Sequence, residues 1–243
     1  MGLPAFAYVA LAASGSLASA DSVSKPPSSE IWAGVAARTN SWAAYTGTTF
    51  ALSGSLADPG WRLRLSGGMG EFEYGRTRNG VAETYRARTT FGDALVGYHL
   101  QLGATTAKLF AGATLASTTV KPPDPDFDHA RSTLGAKVRL ETWTRLPANF
   151  VFKFDVEGGQ LFERPRKVNI IRADALLAYE VSPDLRIGLE AAYHEQDPYR
   201  AFEAGGHVSF GFYFGSRIDV SAGYVRDEDN DGVYGRASLL FKY

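Results

Sequence analysis

The last eleven residues, 233–243, constrain the fold of this chain more than any other stretch. Small or apolar residues occupy every second position there: Val233, Gly235, Ala237, Leu239, Phe241 and Tyr243. The residues between them are mostly polar, among them Arg236, Ser238 and Lys242. A period of two places alternate side chains on opposite faces of a β-strand. The stretch therefore predicts a strand with one apolar and one polar face that ends on an aromatic residue.

A closing strand of this kind is typical of bacterial outer-membrane β-barrels, and the composition agrees with that class. Among 243 residues there are 26 glycines and 13% aromatic residues, which suits an all-β chain with tight turns and interfacial aromatic rings. After the first twenty residues, no apolar run reaches the roughly 18 residues of a membrane helix. A net charge of −1 argues against nucleic-acid binding, and zero cysteines exclude disulfides and cysteine-bound metal. The sequence predicts no cofactor.

The N-terminus predicts a signal peptide over residues 1–20. Residues 3–13 form an apolar core, and 18–20 supply small residues for cleavage, although no Lys or Arg precedes the core. Cleavage after Ala20 leaves residues 21–29 as a polar lead-in and residues 30–243 as the barrel. A buried N-terminal helix is the alternative interpretation.

Turn signals at regular intervals divide the rest of the chain into twelve predicted strands. We place them at residues 30–39, 42–52, 61–74, 88–102, 106–118, 130–145, 150–162, 169–181, 185–195, 201–214, 218–226 and 233–243. Short turns are predicted at 103–104, 146–149, 182–184 and 215–217. Longer polar loops are predicted at 75–87, 119–129, 163–168 and 227–232. Short periplasmic turns that alternate with longer extracellular loops predict a transmembrane antiparallel up-and-down β-barrel of about 12 strands, with both termini in the periplasm.

The apolar face of most predicted strands carries no charged residue. Examples are Phe150, Phe152, Phe154 and Val156 in the seventh strand. A lysine or arginine on a lipid-facing surface costs roughly 2–4 kcal/mol at the bilayer midplane, so this pattern favours a face in contact with lipid. The strands of a soluble two-layer sandwich also alternate apolar and polar residues, so this fold is the alternative interpretation. A sandwich, however, does not require aromatic residues at the ends of its strands. The second strand has no charge on either face, so its orientation stays undecided.

The opposite face of the strands carries charges of both signs, which must pair or stay hydrated inside a barrel. The candidate lumen-lining residues are Arg62, Arg64, Lys137, Arg139, Trp143, Asp155, Glu157, Glu190, Glu203, Tyr213 and Arg236. They form either a polar network that fills the barrel or a narrow, hydrated path for a polar solute such as a saccharide. For the path, Trp143 and Tyr213 are expected to stack on sugar rings.

Two motifs suggest chemistry without defining a site. His207 and Ser209 share a face of the tenth strand, and a histidine beside a serine can activate it as a nucleophile. Some outer-membrane lipid hydrolases carry His-x-Ser followed by Asn, but Phe210 stands in the place of that Asn and the pair faces inward. Residues 227–232 begin like a calcium-binding loop, yet Ser238 stands where the twelfth position needs Glu. We therefore predict no catalytic and no metal site, with a lipid-modifying enzyme as the alternative.

Glycine and aromatic residues spread over the chain carry a resemblance to a known family. They include the runs Ala44-Tyr45-Thr46-Gly47, Gly60-Trp61-Arg62-Leu63-Arg64, Gly67-Gly68-Met69-Gly70, Gly97-Tyr98 and Ser221-Ala222-Gly223-Tyr224. These runs resemble the BcsS family of bacterial cellulose biosynthesis proteins. The resemblance implies a non-enzymatic outer-membrane barrel that accompanies cellulose synthase in the biosynthesis or export of cellulose or another exopolysaccharide. It implies membrane lipid, polysaccharide and periplasmic synthase components as partners; a narrow solute channel unrelated to cellulose is the remaining alternative.

Overall fold

A computed structural model describes residues 26–78, 80–124, 132–162, 168–196, 199–212, 215–227 and 231–243. Twelve strands make up most of these residues: β1 (Ser29–Arg38), β2 (Ser41–Ala51), β3 (Gly60–Arg78), β4 (Val81–Leu102), β5 (Thr105–Lys121), β6 (Ser132–Arg145), β7 (Phe150–Leu161), β8 (Val168–Ser182), β9 (Leu185–Gln196), β10 (Tyr199–Phe212), β11 (Ser216–Asp227) and β12 (Asp231–Lys242). Each strand pairs antiparallel with the next, and β1 pairs with β12, so the sheet closes into a barrel. The predicted fold class and the number of strands are confirmed.

The two ends of the barrel differ, and we call them the near rim and the far rim. The near rim holds both ends of the described chain, where the backbone N–H of Ser29 donates to the carbonyl of Tyr243 at 3.0 Å. It also holds the short turns at 103–104, 146–149 and 183–184, the first of which contains Gly103 at a φ of 60°. The far rim is the opposite end. The predicted signal peptide lies outside the described residues and stays a prediction.

The predicted loop at 75–87 is wrong, because β3 and β4 continue through it as a paired hairpin. Strand pairing runs out to Arg78 opposite Val81. The charged residues of this stretch suggest a solvated loop by composition alone. Across the two strands, however, Arg86 donates to Glu73 at 2.6 Å and Arg88 to Glu71 at 2.9 Å. Opposite charges in direct cross-strand positions stabilise a sheet.

The outward face of the barrel is apolar between its two rims. Large apolar side chains exposed there include Val35, Val96, Val138, Ile187, Leu189, Phe210 and Val220. Near the near rim, aromatic rings pair at centroid distances of 5.3–5.4 Å: Trp61 with Tyr98, Phe150 with Tyr179, and Phe212 with Phe241. An apolar belt with aromatic rings along its edge is typical of outer-membrane β-barrels. No helix in the described part of the chain is long and apolar enough to cross a membrane.

The structure also decides the orientation of β2. Trp42 lies opposite Ala37 of β1 and Glu71 of β3, and its side chain is 40% exposed on the outward face. Thr49, on the other face of the strand, is fully buried and accepts a hydrogen bond from the Nε of Arg64 at 3.1 Å. The threonines and Tyr45 are thus divided between the two faces of β2, and neither face carries a charge. For this reason the sequence pattern left the orientation of the strand open.

Candidate functional site: the charged barrel interior

The inward face of the barrel is lined by ionised side chains rather than by an apolar core. Arg62 is completely buried, and Glu203 is 1% exposed. Arg64, Lys137 and Asp155 are buried as well. Since an unpaired charge is costly away from water, the contacts among these residues decide how the interior is built.

A first network joins the inward faces of β3 to β7. Its charges alternate in the order of contact Arg64, Glu141, Arg139, Glu157, Lys137 and Asp93. Arg64 Nη2 lies 3.0 Å from Glu141 Oε2, and Lys137 Nζ lies 3.0 Å from both Glu157 and Asp93. Asp155 adds a branch, 2.8 Å from Lys153 Nζ and 3.6 Å from Arg139. The alternation lets each buried charge meet at least one of opposite sign.

Arg64 holds this network against aromatic rings. Its guanidinium lies 4.0 Å from the centroid of the Phe110 ring and 5.0 Å from that of Trp32. Phe110 is fully buried, so the contact is shielded from water. A desolvated cation over a ring contributes about 2 kcal/mol. The ring and the Glu141 carboxylate together fix the position of the guanidinium.

A second network occupies the inward faces of β1 and β8 to β12. At its centre, Glu203 forms ion pairs with Arg38 of β1 and Arg236 of β12. Arg236 also lies 3.3 Å from Asp174 and 3.8 Å from Glu190. These contacts tie β8, β9, β10 and β12 to β1, where the two ends of the sheet close on each other.

His207 and Ser209 belong to this polar interior. His207 lies with its Nδ1 3.1 Å from Ser221 Oγ and 3.3 Å from Glu190, and with its Nε2 3.5 Å from Asp219. Both His207 and Ser209 are buried and face inward. Sequence analysis missed Ser221 and Asp219 as neighbours, although the register opposes His207 to Ser221 and Ser209 to Asp219. A short β10–β11 connection was the available signal for that register.

Trp143 lies on the inward face of β6, close to cations from two distant strands. The guanidinium groups of Arg186 and Arg217 lie 4.8 and 5.6 Å from its ring centroid. The contact reaches from β6 to β9 and β11, so it narrows the lumen. Two arginine side chains therefore lie over the ring that was predicted to stack on sugar. Tyr213, the other residue predicted to stack on sugar, lies outside the described residues.

The loop between β2 and β3, residues 52–59, folds against the interior at the near rim. Arg62 Nη2 donates to the carbonyl oxygens of Ser55 at 3.0 Å and of Asp58, and lies 3.1 Å from His99 Nδ1. The N–H of Leu56 donates to the carbonyl of Pro27 at 2.8 Å. The sequence marks a turn here but contains no signal that the loop closes inward. Arg62 therefore binds the loop rather than the open interior.

Hydrogen bonds within this loop hold an acidic side chain in place. The backbone N–H and hydroxyl of Ser55 donate to Asp58 Oδ2 at 2.8 and 2.9 Å, and they hold the pKa of Asp58 below its ordinary value of 3.8. A lowered carboxyl pKa stabilises the fold at pH values above 3.8. This contribution is lost only as the pH falls through the lowered value, so the loop keeps it at neutral pH.

Asp124 is the centre of a separate cluster at the far rim. Its buried carboxylate accepts a hydrogen bond from the Tyr74 hydroxyl at 2.9 Å and lies 3.4 Å from Arg78 and 3.5 Å from Arg76. Burial and this hydrogen bond raise the pKa of Tyr74 to about 12, so the phenol keeps its proton at neutral pH. Residues 119–121 of the predicted loop at 119–129 thus continue β5, Asp124 is anchored to the β3–β4 hairpin, and residues 125–129 lie outside the described residues.

The described part of the chain contains no group of three or more His, Asp or Glu side chains placed to hold a metal ion. The calcium-like stretch at 227–232 is described only at its two ends.

A closed antiparallel barrel with an apolar belt and an ionic interior defines an outer-membrane-type β-barrel protein. Three solved structures share the fold. The beta domain of the Bordetella autotransporter BrkA has a TM-score of 0.53 at 13% identity, over 89% of this chain and 100% of that one. An outer-membrane channel from Pseudomonas putida F1 has a TM-score of 0.51 at 11% identity, over 90% and 97%. LpxR from Salmonella typhimurium has a TM-score of 0.50 at 11% identity, over 88% and 100%.

The particular family comes from the sequence rather than from these likenesses, which show the fold alone. The sequence profile described as "Cellulose biosynthesis protein BcsS" matches residues 31–243, and the chain belongs to this family. The resemblance stated from the glycine and aromatic runs is thereby confirmed. No curated protein matches the chain.

Proposed function

We propose that this barrel is a non-enzymatic outer-membrane component of the biosynthesis or export of cellulose or a related exopolysaccharide. The observation that carries the proposal is the family match over residues 31–243. The apolar belt supports insertion in the outer membrane, with the near rim and both termini in the periplasm. From there, the near rim can contact periplasmic components of cellulose synthase.

The contacts inside the barrel determine whether a glucan can pass through its lumen. Nine of the eleven lumen-lining candidates offer charged donors or acceptors to sugar hydroxyl groups, but all nine already contact other interior side chains or loop 52–59. The ring of Trp143 on β6 also contacts the guanidinium of Arg217 on β11. We therefore propose that a polysaccharide passes through the lumen only after these contacts separate, and that the described form is closed.

The geometry does not favour the lipid-modifying alternative. A lipid substrate lies on the outward face, whereas His207 and Ser209 are buried on the inward face. The hydroxyl of Ser221, not that of Ser209, is the one 3.1 Å from His207. A non-enzymatic role therefore accounts better for these side chains, as members of the second network.

Deletion of the gene, followed by measurement of secreted cellulose, tests the role directly. We expect less secreted polymer, and full recovery with either the unchanged protein or a Ser209→Ala variant. Secretion that is unaffected by the deletion would contradict the role in cellulose biosynthesis. A Ser209→Ala barrel that is folded and abundant yet fails to restore secretion would contradict the non-enzymatic part.

Replacement of Arg62 by methionine is expected to release loop 52–59. The change removes charge-assisted hydrogen bonds to two loop carbonyls, each worth about 1.5–3 kcal/mol. We expect protease cleavage within the loop to accelerate at least about tenfold, and single-channel conductance to rise. Arg145→Met, at an exposed residue of the same rim, is the matched control and should change neither. Equal behaviour of the two variants would show that Arg62 does not hold the loop.

A further inference from the structure

Five cationic side chains lie on inward-facing positions of the barrel at the near rim. Each comes from a different strand, and together we call them the cationic cluster: Lys108, Lys153, Arg186, Arg217 and Lys242. They are half-buried, or nearly so, just inside the short turns. Lys153 and Arg217 also take part in contacts described above, but the cluster as a whole has no role in the proposed function.

Three members of the cationic cluster have a carboxylate partner. These pairs are Lys153 with Asp155 at 2.8 Å, Arg186 with Glu180 at 2.7 Å, and Arg217 with Asp219 at 3.1 Å. Lys108 and Lys242 make no ion pair within 4.0 Å with any residue that the structure describes. The cluster therefore has two positive charges that its own carboxylates do not match.

The surroundings of the two lysines illustrate this excess of positive charge. Lys242 lies opposite Glu30 in the β1–β12 register and Lys108 lies opposite Glu141 in the β5–β6 register, yet neither lysine forms an ion pair with its opposite carboxylate within 4.0 Å. Glu30 is itself buried and lies 4.0 Å from Arg64, so it is shared with the first network. Like charges held together inside a narrow barrel repel each other more strongly than in water.

Trp143 fixes the two arginines of the cluster. Their guanidinium groups lie 4.8 and 5.6 Å from its ring centroid, which restricts both to the same part of the lumen. A guanidinium held in this way keeps its donors in a planar arrangement that matches carboxylate and phosphate oxygens. The two lysines add point charges that suit the same oxygens.

We propose that the cationic cluster is an anion-binding site that takes a carboxylate or phosphate group, either free or carried on a saccharide. A bound anion supplies Lys108 and Lys242 with the close ion-pair partner that neither has among the described residues. The confined lumen favours this, because charges of one sign inside low-dielectric walls raise the local concentration of the opposite ion. The site is independent of the role in cellulose biosynthesis, since it rests on the charges of the near rim alone.

Calorimetric titration of the purified full-length barrel in detergent tests the site with three probes: inorganic phosphate, glucuronate and glucose. We expect phosphate or glucuronate to bind and glucose, which carries no charge, not to bind. Binding of glucuronate alone would assign the site to a carboxylate group, and binding of phosphate alone to a phosphate group. Failure of both anions to bind would overturn the proposal.

Paired substitutions locate the binding. A Lys108→Met/Lys242→Met double variant is expected to weaken anion binding at least tenfold. The control, Lys121→Met/Arg200→Met, removes two positive charges at the far rim and should leave binding unchanged. Because the first pair relieves repulsion, that variant should also unfold at the same or a higher temperature than the unchanged protein in anion-free buffer. Equal binding by both double variants would overturn the proposal.

Discussion

A barrel that carries Leu189→Arg is expected to be about 2–4 kcal/mol less stable in a lipid bilayer than the unchanged protein. Leu189 lies on the outward face of β9, near the middle of the apolar belt, and is 73% exposed. At the midplane of a bilayer, the guanidinium there has no water and no partner. In a water-soluble protein, the same substitution at so exposed a site changes the stability by only about 0.5 kcal/mol.

Denaturant unfolding in phosphatidylcholine vesicles, followed by tryptophan fluorescence, measures this difference. Leu146→Arg is the matched control, since it places the same side chain in a near-rim turn where water reaches it. We expect that control to change the stability by less than about 1 kcal/mol. An equal effect of the two substitutions would show that the apolar belt does not contact hydrocarbon.

Glu203→Gln is expected to destabilise the barrel by about 3 kcal/mol. Glu203 is 1% exposed and forms the shared ion pairs with Arg38 and Arg236 at the closure of the barrel. Removal of one partner from a buried pair costs about 3–5 kcal/mol, because the remaining charge stays buried. We expect the lower end of that range because Arg236 keeps Asp174 and Glu190 within reach.

The control for this substitution is Glu195→Gln at the far rim. Glu195 pairs with the exposed Arg200 at 3.3 Å, and surface pairs contribute only about 0–1 kcal/mol. The same unfolding measurement compares the two variants. If Glu203→Gln costs no more than Glu195→Gln, the second network does not contribute to closing the barrel.

Much of the architecture could be predicted because the barrel repeats one local rule. Alternation with period two, as in Val233 to Tyr243, assigns each side chain to a face without knowledge of any other strand. The rule fails where local charge density misleads, as in the hairpin that carries Arg86 and Arg88. There, the pairing with Glu73 and Glu71 depends on the register between two strands.

The candidate site was accessible to sequence analysis only as a set of inward-facing residues. The period of two along each strand places Arg64 and Glu141 on the inward face, but 77 residues separate them along the chain. Their contact depends on how far apart β3 and β6 lie around the barrel. For the same reason, the period of two predicts that Trp143 faces inward but does not predict that Arg186 and Arg217 lie over its ring.

The sequence by itself determined the kind of molecule: an all-β chain of the BcsS family, with twelve strands and two chemically distinct faces. It did so because the side-chain period and the turn residues are local properties of the chain. Only the tertiary structure decided which charges meet, that loop 52–59 closes against Arg62, and that Lys108 and Lys242 form no ion pair within 4.0 Å among the described residues. Those outcomes depend on distances across a closed barrel, and such distances are set by the curvature and register of all twelve strands together.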